Sequence, residues 1–314
     1  MGHEGVFAIR RCRACGLFWL SPRPSPQDMA LYYQGYYTHA LVPSESAWGG
    51  RRFLGACRDA LRRAILSGYY GYPQPGGTDQ ERAFGALLGK SRSLRLRATA
   101  ELKELLPPHQ PGGVVLDIGC GRGDFLVKMK SLGFGVIGIE PDPVSAALAE
   151  SRGIRIIAGS VFEAGLAPAS VDHITMNHSL EHVHEPVALL SKCREWLKPG
   201  GTLRLYTPNA DSLGRRLFSR RWFAFDVPRH LYIFSAAALK SALRQAGFQT
   251  IQVYSFARLA PQIYDASMHL RHGTLLQWAE PPRARGRSIF SALEKILGTL
   301  GLGCGEELAG IASP

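Results

Sequence analysis

No apolar run in this chain is long enough to cross a membrane. The longest are broken by Arg, Lys or Glu well short of the roughly 20 residues that a bilayer span needs. The opening stretch M-G-H-E-G-V-F-A-I-R-R lacks an apolar segment, so no secretory signal is expected. Cysteine is scarce, six in 314 residues, which excludes a disulfide framework at this size. A cytoplasmic protein is the expectation. Compact runs of like charge are missing, and no specific nucleic-acid partner is expected. No internal repeat is visible. No Lys-Ser or Lys-Thr pair directly follows the glycines of the turn described below, which excludes a P-loop.

What is present is a globular composition with a basic balance. Hydrophobic residues make up 46% of the chain, enough for a sizeable core. The formal net charge is +12, with arginine concentrated at Arg10–Arg13, Arg51–Arg97 and Arg215–Arg229. Such surfaces attract anions, an anionic small-molecule partner among them, and are equally consistent with a solvated surface. Apolar residues recur at helical spacing over Arg51–Leu66 and Ser93–Leu106, with a Gly-, Tyr- and Pro-rich loop at Gly68–Gly77 between them. Pro107, Pro108 and Pro111 mark a boundary. Beyond it strands and helices alternate. Strands are expected at Val114–Ile118, Gly135–Glu140, Arg155–Ala158, Val171–Met176, Thr202–Thr207 and Thr250–Phe256, with a final edge strand at Glu306–Ala312. Helices are expected at Phe125–Leu132, Pro143–Glu150, Pro186–Leu197 and Ser235–Ala246, the last with Ser235 as its N-cap. Lys198-Pro199-Gly200-Gly201 is a turn without chemistry. Seven strands in this order give an α/β protein with a mostly parallel sheet covered by helices on both faces.

The stretch Val114–Asp124, V-V-L-D-I-G-C-G-R-G-D, carries the chemistry. A β-branched run ends in Asp117, then Gly119, Gly121 and Gly123 alternate before a helix. That unit holds a nucleotide-like ligand at a helix N-terminus. Glycines there permit positive φ and close approach of ligand to backbone. A dinucleotide fingerprint starting at Gly119 requires glycine where Asp124 stands. Asp117 would repel a pyrophosphate and suits a ligand that carries an ammonium group. Cys120 fills a position that demands a small side chain.

These residues resemble motif I of class I S-adenosylmethionine-dependent methyltransferases, an acid followed by G-x-G-x-G. The resemblance covers roughly the last two thirds of the chain and implies a Rossmann-like fold. It also implies S-adenosylmethionine as cofactor, its methionine part on Gly119, Cys120, Gly121 and Gly123 and its ammonium group near Asp117. Glu140, followed by Pro141, ends the second strand, where the family's acid holds the ribose hydroxyls. Ser160 stands where many relatives place an Asp on the adenine, and a backbone amide or Ser160 itself would substitute. Asn177-His178-Ser179-Leu180-Glu181-His182-Val183 follows the fourth strand, at the end of the sheet where ligands bind. It resembles the L-E-H-V stretch of ubiquinone-pathway O-methyltransferases and of sugar and natural-product enzymes. His182, His178 or His230 would take a proton from a hydroxyl or acidic carbon of the acceptor. His182 and Glu181 are as readily read as fixing the loop, and His184 is read as structural.

An aromatic and arginine-rich insertion, 210–234, is placed to close over the site. Trp222, Phe223 and Phe225 would shape an acceptor pocket, and Arg229 would hold an anionic group. A second insertion, 258–304, contains a basic stretch and an apolar stripe at 283–300, suited to packing or to a membrane surface. At the amino end, Cys12-x-x-Cys15-Gly16 resembles the second half of a zinc ribbon found ahead of methyltransferase domains. No second pair lies at a suitable spacing, so a zinc site here is incomplete. Phe18, Trp19, Tyr32, Tyr33, Tyr36 and Tyr37 are read as packing on the main domain. The expected organisation is therefore a ribbon-like segment at 1–40, a helical lead-in at 41–106 and a methyltransferase domain at 107–314. An NAD(P)-binding oxidoreductase and a catalytically degenerate S-adenosylmethionine-binding module are the alternatives.

Overall fold

From its amino end the chain forms a hairpin of β1 (Ala8–Arg11) and β2 (Phe18–Ser21), then α1 (Met29–Tyr33), α2 (Arg52–Gly68) and α3 (Asp79–Gly89). The computed structural model describes residues 6–33, 52–73, 77–91, 94–95, 98, 106–273 and 282–314. Tyr36, Tyr37 and most of the helix expected at Ser93–Leu106 lie outside them. The helix α3 was not anticipated. Its signal was in the sequence, because Thr78 and Glu81 form a capping box. The amide of Glu81 donates to Thr78 Oγ1 at 3.2 Å, and the amide of Thr78 donates to Glu81 Oε2 at 3.0 Å. Glycines let α2 and α3 touch backbone to backbone: a Cβ on Gly85 would lie 1.7 Å from the carbonyl oxygen of Ala64.

The main sheet follows: β3 (Val114–Ile118), α4 (Asp124–Ser131), β4 (Gly135–Glu140), α5 (Pro143–Ser151), β5 (Arg155–Ala158), β6 (Val171–Asn177), α6 (Pro186–Trp196) and β7 (Leu197–Pro208). After it come α7 (Leu213–Phe218), β8 (Tyr232–Ile233), α8 (Ala236–Gln245), β9 (Thr250–Phe256), α9 (Ala260–Arg271), α10 (Arg287–Thr299) and β10 (Glu307–Ser313). The sheet order is β5-β4-β3-β6-β7-β10-β9. Pairs among β5, β4, β3, β6 and β7 are parallel, and β10 runs antiparallel to both neighbours. One expectation is corrected here. The last strand is no edge: β10 inserts between β7 and β9, leaving β9 outermost. Its apolar L-A-G-I-A run, buried except for Ile311, matches an interior position.

Helices cover both faces. Leu189, Leu190, Cys193 and Trp196 of α6 and Leu239, Ala242 and Leu243 of α8 pack on Leu116, Ile174 and Leu205. On the other face Leu126 and Met129 of α4 join Val115, Ile65, Leu66 and Tyr72, so the lead-in shares the core. Each such side chain withdraws from water at a gain of about 1.5–3 kcal/mol. The insertion after β7 builds a third cluster, Phe218, Trp222 and Phe225 with Ile263, Tyr264 and Phe290. The amino-terminal hairpin attaches to this insertion, with Phe18 opposite Ile233 and Trp19 opposite Tyr232.

No helix among the described residues is long and apolar enough to cross a membrane. On α10, Phe290, Ser291 and Glu294 are buried, while Ile289, Leu293, Ile296 and the following Leu300 form an exposed apolar stripe.

Candidate functional site

The loops after β3, β4 and β6 meet at the carboxyl end of the sheet. Gly119, Gly121 and Gly123 have φ of +73°, +54° and +75°, a conformation that side chains rarely adopt. Gly123 caps α4 without a side chain, so the free amides at that helix start face the crevice. Two glycines are also required by space: a Cβ on Gly119 would meet Ser179 Oγ at 2.5 Å, and one on Gly123 would meet Ile154 Cδ1 at 2.3 Å. Gly121 differs, with nothing within 4 Å of a Cβ there. Its open face is the cradle of the turn. Cys120 points away into the core, and burial pushes its thiol up, so it packs and does not react.

Asp117 is buried and accepts from Thr175 Oγ1 at 2.6 Å. Glu140 bridges two loops: Oε2 accepts from the Gly121 amide at 2.7 Å and Oε1 from the Asp142 amide at 3.0 Å. Each carboxylate oxygen can accept more than one bond. Pro141 is exposed between Glu140 and the N-cap Asp142. Ser160 is exposed, and its hydroxyl accepts from the Phe162 amide at 3.3 Å. Asn177 ends β6 with a buried Oδ1 that has no hydrogen-bond partner. Asn177 Oδ1 and the open side of Gly121 thus leave room and bonding capacity for a polar ligand.

The loop after β6 is anchored by Ser179, which donates to the carbonyl of Ile118 at 2.8 Å. His178 has φ +56° and sits between two carboxylates, Nδ1 at 3.0 Å from Glu181 and Nε2 at 2.9 Å from Glu307. Burial alone would lower its pKa, but Glu181 and Glu307 outweigh that and lift it to about 9. Burial likewise opposes ionisation of Glu181, yet His178 brings it down to about 2. Both ring nitrogens of His178 face carboxylates, which favour its protonated form. His182 behaves oppositely, since burial first and then the nearby His230 lower its pKa to about 4. Its Nδ1 lies 3.0 Å from the carbonyl of Arg229 and 2.8 Å from the Tyr33 hydroxyl. His230 places Nδ1 at 2.7 Å from the carbonyl of Ala224, and the two rings are 4.7 Å apart. His184 donates from Nε2 to the carbonyl of Pro24 at 2.8 Å, a structural tie.

Two further expectations are corrected. Trp222 and Phe225 do not line an acceptor pocket, because both are buried in the third cluster, with Trp222 Nε1 donating to Glu306 Oε2 at 2.6 Å. Arg229 is committed to Asp226, through Nε at 2.9 Å and Nη2, and to the carbonyl of Tyr32 at 3.2 Å. Sequence reading treated Tyr33 as packing and passed over Glu307 and Arg258. Two acids opening an apolar strand, Glu306-Glu307, were the available signal.

A family profile described as a methyltransferase domain matches residues 91–253, just over half of the chain and all of the loops above. The chain belongs to the methyltransferase domain family. Relatives of this methyltransferase domain include a ubiquinone biosynthesis O-methyltransferase of Xanthomonas campestris. It is 41% identical over 106 residues, which are 32% of this chain and 44% of that protein. A Mycolicibacterium smegmatis protein named a probable S-adenosylmethionine-dependent methyltransferase is 31% identical over 178 residues, 55% of this chain and 65% of that protein. The chain thus spans less than half the length of the Xanthomonas protein and less than two thirds of the Mycolicibacterium one. Among solved structures, an S-adenosylmethionine-dependent methyltransferase from Archaeoglobus fulgidus has a TM-score of 0.47 at 21% identity, covering 75% of this chain and all of that one.

The metal site expected at Cys12 and Cys15 has the shape of a knuckle. The Gly16 amide donates to the Cys12 carbonyl at 3.0 Å with φ +75° at Gly16. Backbone hydrogen bonds at Cys15 and Ala14 lower the Cys12 pKa. Both cysteines are free, and a structural zinc needs two more ligands.

Proposed function

We propose that this chain transfers the methyl group of S-adenosylmethionine to the oxygen or carbon of a small-molecule acceptor. The observation that carries the reading is the Gly119–Gly123 turn, open at Gly121, with the Glu140 carboxylate beside it. Relatives named as ubiquinone O-methyltransferase and S-adenosylmethionine-dependent methyltransferase support it.

Glu140 would hold the ribose hydroxyls and Asp117 would favour the ammonium group. The backbone of Gly119, Cys120, Gly121 and Gly123 would receive the methionine part. Pro141, Ser160 and Asn177 would border the adenosine, with Asn177 Oδ1 accepting a hydrogen bond. When bound, the cofactor supplies a sulfonium methyl already activated for in-line displacement, leaving a neutral thioether. The protein's part is to align the acceptor and exclude water. His182 and His230 are the proton acceptors, since both Nδ1 atoms face backbone carbonyls and the Nε2 lone pairs are left. An anionic acceptor fits the net charge of +12. Zinc at Cys12 and Cys15 would require two further ligands. Membrane-surface contact through 283–300 would use the exposed stripe of α10 with Arg283 and Arg285, which are also exposed.

Calorimetry with S-adenosylhomocysteine and with NAD tests the reading. Micromolar binding of the first, weakened roughly 10–100-fold in Glu140→Ala, is expected, as two charge-assisted hydrogen bonds contribute about 1.5–3 kcal/mol. Preference for NAD, or equal affinity in the variant, would overturn it. Binding without turnover of any acceptor would favour the degenerate module.

A further inference from the structure

We propose that Glu181, His182 and His230 bind one divalent first-row transition-metal ion in the loop that covers the glycine turn. One ligand atom from each lies within 4.8 Å of the other two. They come from two separate segments, the turn after β6 and the insertion after β7.

The backbone sets the tautomers. Nδ1 of His182 is 3.0 Å from the carbonyl of Arg229, and Nδ1 of His230 is 2.7 Å from the carbonyl of Ala224. A carbonyl only accepts, so a hydrogen on each Nδ1 satisfies these contacts and leaves an Nε2 lone pair on each ring, the Tyr33 hydroxyl at 2.8 Å from His182 Nδ1 then acting as a second acceptor there. Glu181 is fully buried. Its Oε1 is tied to His178 Nδ1 at 3.0 Å, while Oε2 has no hydrogen-bond partner at all. Two ring lone pairs and an unpartnered carboxylate oxygen are thus available on three residues whose ligand atoms lie within 4.8 Å of one another. A buried acceptor left bare costs about 1–3 kcal/mol, and a cation satisfies all three at once. Asp226 Oδ2 lies 3.8 Å from His230 Nε2, but its carboxylate is engaged by Arg229.

The outer contacts are those of a metal site. Ligating histidines donate the other ring nitrogen to a carbonyl or carboxylate, and ligating carboxylates are themselves hydrogen-bonded. Two imidazoles and one carboxylate suit zinc, cobalt, manganese or ferrous iron, and three protein ligands leave positions open. The loop that carries Glu181 and His182 borders the glycine turn: a Cβ on Gly119 would lie 2.5 Å from Ser179 Oγ. An acceptor bearing an oxygen donor would complete the coordination. Its hydroxyl proton, made more acidic by the ion, would then pass to solvent water; the imidazoles take it only when no ion is bound, because their lone pairs are otherwise donated to the metal. That role rests on the methyl-transfer reading; the binding of the ion does not.

Cobalt(II) titration of the full chain, in a Cys12→Ser/Cys15→Ser background that removes the amino-terminal cysteine pair, tests the site by visible absorption and calorimetry. One ion per chain is expected. Glu181→Gln and His230→Gln should each lose more than the roughly 10–100-fold that outer-shell partners contribute. Should Glu181→Gln fail to fold by circular dichroism, His230→Gln carries the test, since that ring is only partly buried. No saturable cobalt binding, or binding that neither substitution weakens, overturns the proposal and leaves an imidazole pair acting as base. Failure of S-adenosylhomocysteine to bind would sink the transfer reading while the cobalt result stood unaffected.

Discussion

Glu306 and Glu307 are consecutive in the chain and both buried, yet they belong to opposite electrostatic worlds. Glu307 faces His178 at 2.9 Å and the guanidinium of Arg258, at 3.2 Å through Nε, and its pKa is lowered despite burial. Glu306 faces Glu294. Burial raises both, Glu306 to about 7 and Glu294 to about 10, with the neighbouring carboxylate adding to the effect on Glu294. Glu306 also accepts from Trp222 Nε1 at 2.6 Å and from the Gly214 amide at 2.7 Å, which favour its charged form over that of Glu294. Successive side chains in a strand point to opposite sides of the sheet. Burial is therefore shared, and the partner decides ionisation. On one side of β10 a cation fixes the loop after β6. On the other, the Glu306–Glu294 pair, whose protonated forms burial favours, meets Trp222 of the insertion after β7.

The largest test of this contrast is His178→Ala. It leaves Glu181 and Glu307 buried with their shared cation gone, and should cost about 3 kcal/mol in urea unfolding at pH 7, the lower end for a broken buried pair because His178 is only half-buried. A loss under about 1 kcal/mol would show that water already screens the cluster. Next comes pH dependence. His178 titrates near 9 in the folded state against 6.5 ordinarily. Its stabilisation is complete below pH 6.5 and lost as pH rises to about 9. Glu181, near 2 against 4.5, contributes above pH 4.5 and is lost as pH falls towards 2. Glu294, raised to about 10 from 4.5, costs the fold progressively as pH rises above 4.5. Glu294→Gln should therefore flatten the decline in melting temperature between pH 5 and 9, and His178→Gln should remove its upper part; a profile unchanged by both would break the assignment. At pH 7 the Glu294→Gln protein should be as stable as the parent or up to about 1 kcal/mol more stable, since a neutral amide replaces a carboxyl pressed against another acid. Trp222→Phe deletes one hydrogen bond to Glu306 and should cost about 1–3 kcal/mol, less than His178→Ala. Carboxyl titration by NMR should show Glu306 moving upward.

The crevice was more legible than the cluster. Gly119, Gly121, Gly123 and Glu140 could be read because a turn of positive φ admits few residues and a strand end fixes where the next acid points. The strands at Gly135–Glu140, Arg155–Ala158 and Thr250–Phe256 were read to the residue, because β-branched runs bounded by glycine have few alternatives. His178 and His182 looked alike in N-H-S-L-E-H-V. His178 is raised by Glu181 and by Glu307, 129 positions away, whereas burial and then His230 lower His182 against the opposing pull of the Arg229 carbonyl. Trp222 and Arg229 looked like ligand contacts because aromatic and cationic residues in an insertion suit either role, and only Phe290, Glu306 and Asp226 assign them to packing.

Local patterning by itself determined the alternating strands and helices, the glycine turn and the acid that follows it, since each depends on backbone conformation and on neighbours within about twenty residues. Tertiary structure alone decided that β10 enters the interior of the sheet, which histidine is charged, and that Glu181, His182 and His230 converge. The physical reason is that a side chain's protonation and its ligands follow from the partners brought within a few ångströms, and those partners lie far away along the chain.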